Sequence, residues 1–539
     1  MDVRRPIHTG KASWTTGRPL RKLVVASAVG AMLVAGGQPL ALAAGPHHAP
    51  DRPTCAVTDM QGVVSGDATI VSARSVTTPT THTAYCRVDG YLTTSGPAGT
   101  DQVNFQVSLP DTFASRYVLI GVGGAAGSVP DPTEVQLQQG WAQAGTDARG
   151  PGQILDYTFA ADRTKALDWA TRGVHLSTVE TQAITRAYYG LTNRRGQLYR
   201  YIDGCSGGGR MGLVEASQYP SEYDGVLAGA PGSNSLNILK FGQIVDHLLR
   251  HSDSWVSPAQ LQQLETAVVA KYDASDGAVD GFVRDPSKID PKWFGSLGIF
   301  TPAQLGLLEV ITGELKVGDR VYKGYSASNP TGWAQFLTGF VPPSDWGATQ
   351  TPPSLRLFDT NTRAMFGLDY DFRTQFDFDD PADLQRWTTA FDEVFPAQNP
   401  GPASFDAFQA RGGKMLIWHG VSDNGISVFD TTKLYRQIAG HDGGYAVTQK
   451  SIRLFTTPGL LHCFGGPGPQ DTPVQGLAAL AKWVEQGQPP QTIVVNSGPG
   501  QPKAGFRLCP YPGTPTFLGG VRNPARLDPL DAANWFCRR

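Results

Sequence analysis

Residues 198–217 read LYRYIDGCSGGGRMGLVEAS, and within them Gly204-Cys205-Ser206-Gly207-Gly208 fits the pattern G-x-S-x-G. A short β-rich run enters the pattern and a helix-compatible run leaves it. This is the layout of a nucleophile elbow, a sharp strand-to-helix turn that holds a serine hydroxyl clear of the backbone. Working outward, RYVLIGVGG (116–124) reads as an apolar strand running into glycine, and residues 165–190 as a long helix closed by Gly190. DGVLAGAPG (224–232), KMLIWHG (414–420) and SIRLFTTPG (451–459) read as further buried strands, and residues 474–487 as an amphipathic helix. Strands alternating with helices predict a mostly parallel sheet flanked by helices: an α/β fold of the α/β-hydrolase kind.

The alternation breaks between 233 and 402. There SPAQLQQLETAVVAKYD (257–273) and TPAQLGLLEVITGELK (301–316) each open with a hydroxyl N-cap, Pro at the first helical position and Gln at the third. Those are capping boxes, so two separate helices are expected among loops rich in aromatics and Asp. The expected organisation is a hydrolase first part (44–232), a large inserted lid domain (233–402) and a hydrolase second part (403–539).

Residues 1–43 read differently. Arg4, Arg5, Lys11, Arg18, Arg21 and Lys22 precede an apolar run from Leu23 to Gly37, and Ala41-Leu42-Ala43 follows as an A-x-A site. This is a secretory signal, and it predicts an extracellular protein. Once it is removed no stretch is apolar enough to span a bilayer. The net charge of −2 gives no footprint for nucleic acid. All six cysteines follow the signal, an even number suited to disulfides in an exported chain, though six allow 15 connectivities. No C-x-x-C pair supports zinc.

A serine is a weak nucleophile without a base and a group to orient that base. In this fold the acid and then the histidine follow the serine in the chain. His462, after a strand, is the better base than His441 in a polar turn. Asp423, just past the 414–420 strand, is the better acid than Asp430. His419 precedes Asp423 and reads as a loop-ordering residue. For the oxyanion hole the backbone N–H of Gly207 is one expected donor, and Gly124 or Ala125 in GVGGAAG (121–127) the other. Cys205 adjoins Ser206 and Cys463 adjoins His462. If serine and histidine meet, their neighbours come within bridging range.

Together, GCSGGGR (204–210), WHGVSD (418–423) and LHC (461–463) resemble the tannase and feruloyl esterase family of α/β-hydrolases. The resemblance implies Ser206 as nucleophile, His462 as base, Asp423 as its orienter, and bridges Cys205–Cys463, Cys55–Cys86 and Cys509–Cys537. It also implies a calcium loop in the lid. DASDGAVDG (273–281) matches that loop, with Asp273, Asp276 and Asp280 as carboxylate ligands and the carbonyls of Ala278 and Phe282 as partners. Crowded carboxylates on a glycine-containing loop suit Ca2+. Two departures stand out: no cysteines bracket this loop, and Gly207 stands where relatives often carry a side chain, which implies a more open or mobile mouth.

The expected activity is serine-dependent hydrolysis of small esters of aromatic acids such as feruloyl, galloyl or related phenolic acids, including plant-polymer-derived ones. Alternatives are a terephthalate-monoester-type or broad aryl/alkyl esterase, or a non-catalytic binding protein on the same fold. Trp293, Phe294, Trp333, Phe336, Trp346 and Phe366 are aromatic residues available either to a lid pocket or to the lid core.

Overall fold

The computed structural model describes residues 52–191, 196–519 and 527–538; the signal expected at 1–43 lies outside the described residues. Nine strands form one sheet. They are β1 (Ala68–Thr77), β2 (Ala84–Gly96), β3 (Gly99–Pro110), β4 (Arg116–Gly121), β5 (Trp141–Thr146), β6 (Tyr199–Cys205), β7 (Gly225–Gly229), β10 (Lys414–Gly420) and β11 (Ile452–Thr457). Between β7 and β10 in the chain lies a separate two-stranded hairpin, β8 (Leu315–Val317) and β9 (Arg320–Tyr322).

The spatial order is β1-β2-β3-β5-β4-β6-β7-β10-β11. From β5 to β11 every neighbour pair is parallel, whereas β1, β2 and β3 add an antiparallel edge. The parallel strands are apolar on both faces: Val118, Leu119, Ile202, Val226, Leu227, Leu416, Ile417 and Leu454 are all fully buried. Helices cover both sides of a parallel sheet, which is why these runs lack a polar alternation.

The chain leaves the sheet after Gly229 and returns to it at Lys414, where β10 pairs directly with β7. The residues between supply no strand to the main sheet. Both capping boxes form there: Ser257 and Thr301 each accept from the backbone N–H three residues on, and Gln260 and Gln304 reach back. The helix expected over 165–190 runs as Arg163–Leu167, one π-turn at Asp168–Arg172, then Gly173–Tyr188. All six cysteines are bridged, as Cys55–Cys86, Cys205–Cys463 and Cys509–Cys537.

Candidate active site

Ser206 stands between the end of β6 and the helix Gly207–Gln218, at φ 62° and ψ −120°. A side chain rarely adopts that conformation, and the strain is what lifts the hydroxyl off the backbone. The glycines make room for the turn. A Cβ on Gly208 would lie 2.5 Å from the carbonyl oxygen of Gly121, at the end of the adjacent strand. Asp423 follows β10 and His462 follows β11, so the three side chains converge at the carboxyl ends of parallel strands. In open α/β sheets that is the edge where ligands bind.

His462 Nε2 lies 2.8 Å from Ser206 Oγ, and its Nδ1 lies 3.0 Å from both oxygens of Asp423. An ionised carboxylate only accepts, so Nδ1 carries the hydrogen and Nε2 offers its lone pair to the serine. Asp423 is fully buried. Its Oδ1 also accepts the backbone N–H groups of Gly425 and Ile426 at 2.8 and 2.7 Å. Burial pushes its carboxyl up, but the facing His462 and His419 outweigh that and hold it well below the usual carboxylate range. Asn424 Oδ1 accepts the backbone N–H of His462 at 3.1 Å, fixing the histidine loop to the aspartate loop. Cys205–Cys463 joins the flanks of serine and histidine, with Cα atoms 5.8 Å apart.

The alternatives lie elsewhere. Asp430 sits in the helix Val428–Asp442 and accepts from Asn234 at 2.9 Å. His441 pairs with Asp406 on the surface. His419 does more than order its loop. Its Nε2 lies 3.0 Å from the Ile426 carbonyl and 3.3 Å from Asp423 Oδ2, with Nδ1 2.9 Å from Thr431 Oγ1. Both neighbours of Nε2 are acceptors, so Nε2 carries the hydrogen and donates to the Ile426 carbonyl with the aspartate close beside it, and Thr431 donates to Nδ1. Asp423 is therefore held between two histidines.

One oxyanion expectation needs correction. The Ala125 N–H donates to the Ile154 carbonyl at 2.8 Å and has nothing left for a substrate. Gly124 borders the same cavity as Ser206 and Gly207, which leaves Gly124 as the candidate donor of the two. The mouth is also not opened by the missing side chain at Gly207. A Cβ there would stand 2.7 Å from Gly124 N, because the glycine turn has closed onto the elbow.

The cavity at Ser206 is walled by Tyr157, Trp169, Phe241, Phe336 and Phe391. Of the six lid aromatics named from sequence only Phe336 reaches it, edge-on to the His462 ring with centroids 5.4 Å apart. Phe294 and Trp333 are buried in the core, and Trp293, Trp346 and Phe366 pack against it. Sequence reasoning missed Arg210, Asn361 and Gln398, which also line the cavity. Arg210 was within sight, one helical turn past the nucleophile.

The guanidinium of Arg210 lies 3.8 Å over the Trp169 ring. It donates to the carbonyls of Trp169 and Ala170 and to Gln398 Oε1, while its Nε has no partner among the described residues. Burial pulls its pKa down to about 10. Asn361 donates through Nδ2 to the Leu357 carbonyl at 2.8 Å, and its buried Oδ1 has no partner among the described residues.

This arrangement matches what sequence comparison finds. Residues 86–525 match the model of the family "Tannase and feruloyl esterase". The chain belongs to the tannase and feruloyl esterase family. It is 28% identical over 505 residues to an uncharacterized esterase of Xanthomonas campestris, with 84% of each chain covered. It is 28% identical over 467 residues to a probable feruloyl esterase of Arthroderma benhamiae, covering 83% of this chain and 86% of that one. The crystal structure of feruloyl esterase B from Aspergillus oryzae superposes with a TM-score of 0.75 at 22% identity, over 90% of this chain and 99% of that one. This tannase-family chain is accordingly a carboxylic ester hydrolase with an α/β-hydrolase fold. No helix among its described residues is long and apolar enough to cross a membrane.

The loop 273–281 presents its carboxylates differently from an open cation site. Arg284 projects into it and donates to Asp276 Oδ2 at 3.0 Å and to Asp280 at 3.1 and 2.6 Å. Asp273 accepts the backbone N–H groups of Asp280 and Gly281. Two of the three negative charges on which the calcium expectation rests already pair with a cation, and the third is held by backbone N–H groups. As arranged, the loop does not fit a calcium ion, which would have to displace that arginine.

Proposed function

We propose that the protein is exported and hydrolyses esters of hydroxylated aromatic acids through an acyl-enzyme on Ser206. Export is supported by the basic, apolar and A-x-A pattern of residues 1–43 and by three disulfides in the described chain. Ser206 Oγ attacks the ester carbonyl as His462 Nε2 takes its proton. Asp423, ionised throughout, holds the ring and stabilises the imidazolium. The oxygen that gains charge faces the backbone N–H groups of Gly207 and Gly124. His462 then protonates the leaving alcohol, and water activated by the same histidine releases the acid.

The observation that carries the substrate reading is the polar pair in the cavity wall. Arg210 Nε is a donor and Asn361 Oδ1 an acceptor; both are buried and both lack a partner among the described residues. A phenolic hydroxyl both accepts and donates, so it has a hydrogen bond to offer to either atom. A second carboxylate, as on a terephthalate monoester, has no hydrogen to give Asn361. An unsubstituted ring or an alkyl chain leaves both atoms unpaired, at about 1–3 kcal/mol each. A site built to bond a hydroxyl rejects the analogue that lacks it.

The test compares kcat/KM for methyl ferulate, methyl gallate, methyl cinnamate and p-nitrophenyl butyrate, in wild type and Ser206→Ala. The expected result is a clear preference for the two hydroxylated acids and no turnover above background in the variant. Equal rates on ferulate and cinnamate esters would overturn the substrate reading. Equal rates in wild type and variant would overturn the mechanism.

A further inference from the structure

We infer that Arg284 is the resident cation of the 273–281 loop, and that this lid is built to hold its shape without a metal ion. Six carboxylate oxygens are in play, and each already has a donor. Asp273 Oδ1 and Oδ2 accept the N–H groups of Asp280 and Gly281 at 3.3 and 2.9 Å. Asp276 Oδ1 accepts the N–H of Ala278 at 3.0 Å, and its Oδ2 accepts Arg284 Nη1 at 3.0 Å. Asp280 takes both arms of the guanidinium, Nη1 at 3.1 Å and Nη2 at 2.6 Å, and its Oδ1 also accepts the Phe282 N–H at 3.2 Å. Calcium needs six to eight oxygen ligands. Here all six carboxylate oxygens already accept hydrogen bonds, and on three of them the donor is a cationic guanidinium that stands where the ion would sit.

The pair is also sealed. The Asp280 side chain is fully buried, and those of Arg284 and Asp276 are 8% and 11% exposed. The guanidinium lies 3.8 Å over the ring of Trp535, in the strand Trp535–Arg538. Cys537 in that strand is bridged to Cys509. Arg284 thus does a second thing: it ties the loop to a disulfide-anchored segment, in a chain with no cysteines bracketing the loop itself. A bidentate, stacked arginine suits this better than lysine, because its planar fork matches a carboxylate while its face packs on an indole. Burial pushes the carboxyls of Asp276 and Asp280 up, and Arg284 is the group opposing that rise. Where Asp, Glu, His and Cys ligand atoms do converge among the described residues is elsewhere, at Asp406, His441 and Asp442.

The test uses the purified mature protein. Its calcium content is measured by elemental analysis after dialysis into calcium-free buffer, and its thermal midpoint is read with a chelator and with added calcium. The expected result is calcium far below one equivalent per chain and a midpoint that neither addition moves. Stoichiometric calcium, or a midpoint that falls with chelator, would overturn the inference. Arg284→Ser should lower the midpoint by several degrees and Arg284→Lys by less; an unchanged midpoint in Arg284→Ser would equally overturn it. Should neither variant fold, the wild-type metal content and chelator response decide alone. None of these readouts depends on the reading of Ser206.

Discussion

Asp423 and Asp280 are both fully buried carboxylates, each held by a nitrogen-bearing partner. For Asp423 the partner, His462, is 39 residues away in sequence; for Asp280 it is Arg284, four residues on. The difference that matters is what the partner has left. His462 spends Nδ1 on the aspartate and keeps Nε2 for a serine at the cavity, so the buried charge tunes a reactive atom. Arg284 spends both Nη groups on carboxylates and its face on Trp535, so that buried charge only holds the loop. A carboxylate–cation pair becomes chemistry when its far side opens on a cavity, and a brace when it does not.

The comparison breaks if the two aspartates behave alike. Asp423→Asn should lower kcat by about 10⁴-fold in protein that still folds, because the amide favours the wrong tautomer of His462. Asp280→Asn should do the opposite. It leaves kcat and KM near wild type but destabilises the fold by about 3 kcal/mol, since a buried Arg284 loses the nearer of its two charge partners. Chemical denaturation alongside ester kinetics reads both. If Asp280→Asn changed kcat as strongly as Asp423→Asn, the lid loop would belong to the active site.

Next in size is Gly207→Ala. The added Cβ must push back the Gly123–Gly124 backbone, displacing one of the two N–H groups assigned to the oxyanion, and kcat should fall about 100-fold. Steady-state kinetics with unchanged KM would support this; an unchanged kcat would remove Gly124 from the hole. His419→Phe takes away the second histidine on Asp423, and kcat should drop about 10-fold at constant KM. His419→Gln, which restores an N–H donor for the Ile426 carbonyl beside Asp423, should recover part of that. If both variants matched wild type, His419 would be packing only.

The smallest effect concerns pH. The Asp423 carboxyl is held below its ordinary range, so its contribution to stability is fully present above about pH 4, the unfolded value, and is lost as pH falls through the lower folded value. Denaturation midpoints of wild type and Asp423→Asn should therefore differ at neutral pH and converge in strong acid. A gap that widened on acidification would reverse that sign.

Much of this was legible residue by residue. The elbow, the strands at 116, 199, 225, 414 and 452, and both capping boxes are local patterns, and the strands and caps form within a few residues of where the pattern puts them. Other readings stayed open for want of the third dimension. Trp293 and Phe336 look alike on paper and both pack against the core, and only the fold brings Phe336 to His462. Ala125 and Gly124 are equivalent in a glycine-rich turn until the carbonyl of Ile154, far along the chain, claims one amide. Arg284 lies just beyond an Asp-rich loop motif. A reading of that motif counts negative charges without the cation that returns to meet them.

By itself the sequence determined the hydrolase class, the elbow at Ser206, and the order in which acid and base follow it. Those features are short-range: glycine where a Cβ would collide, a serine on a strained turn, apolar runs long enough for buried strands. Only the tertiary structure decided which amides remain free, which aromatics wall the cavity, and which charge answers the aspartates of the 273–281 loop. Hydrogen bonds and ion pairs saturate, and whether an atom is already taken depends on neighbours that the chain brings in from elsewhere.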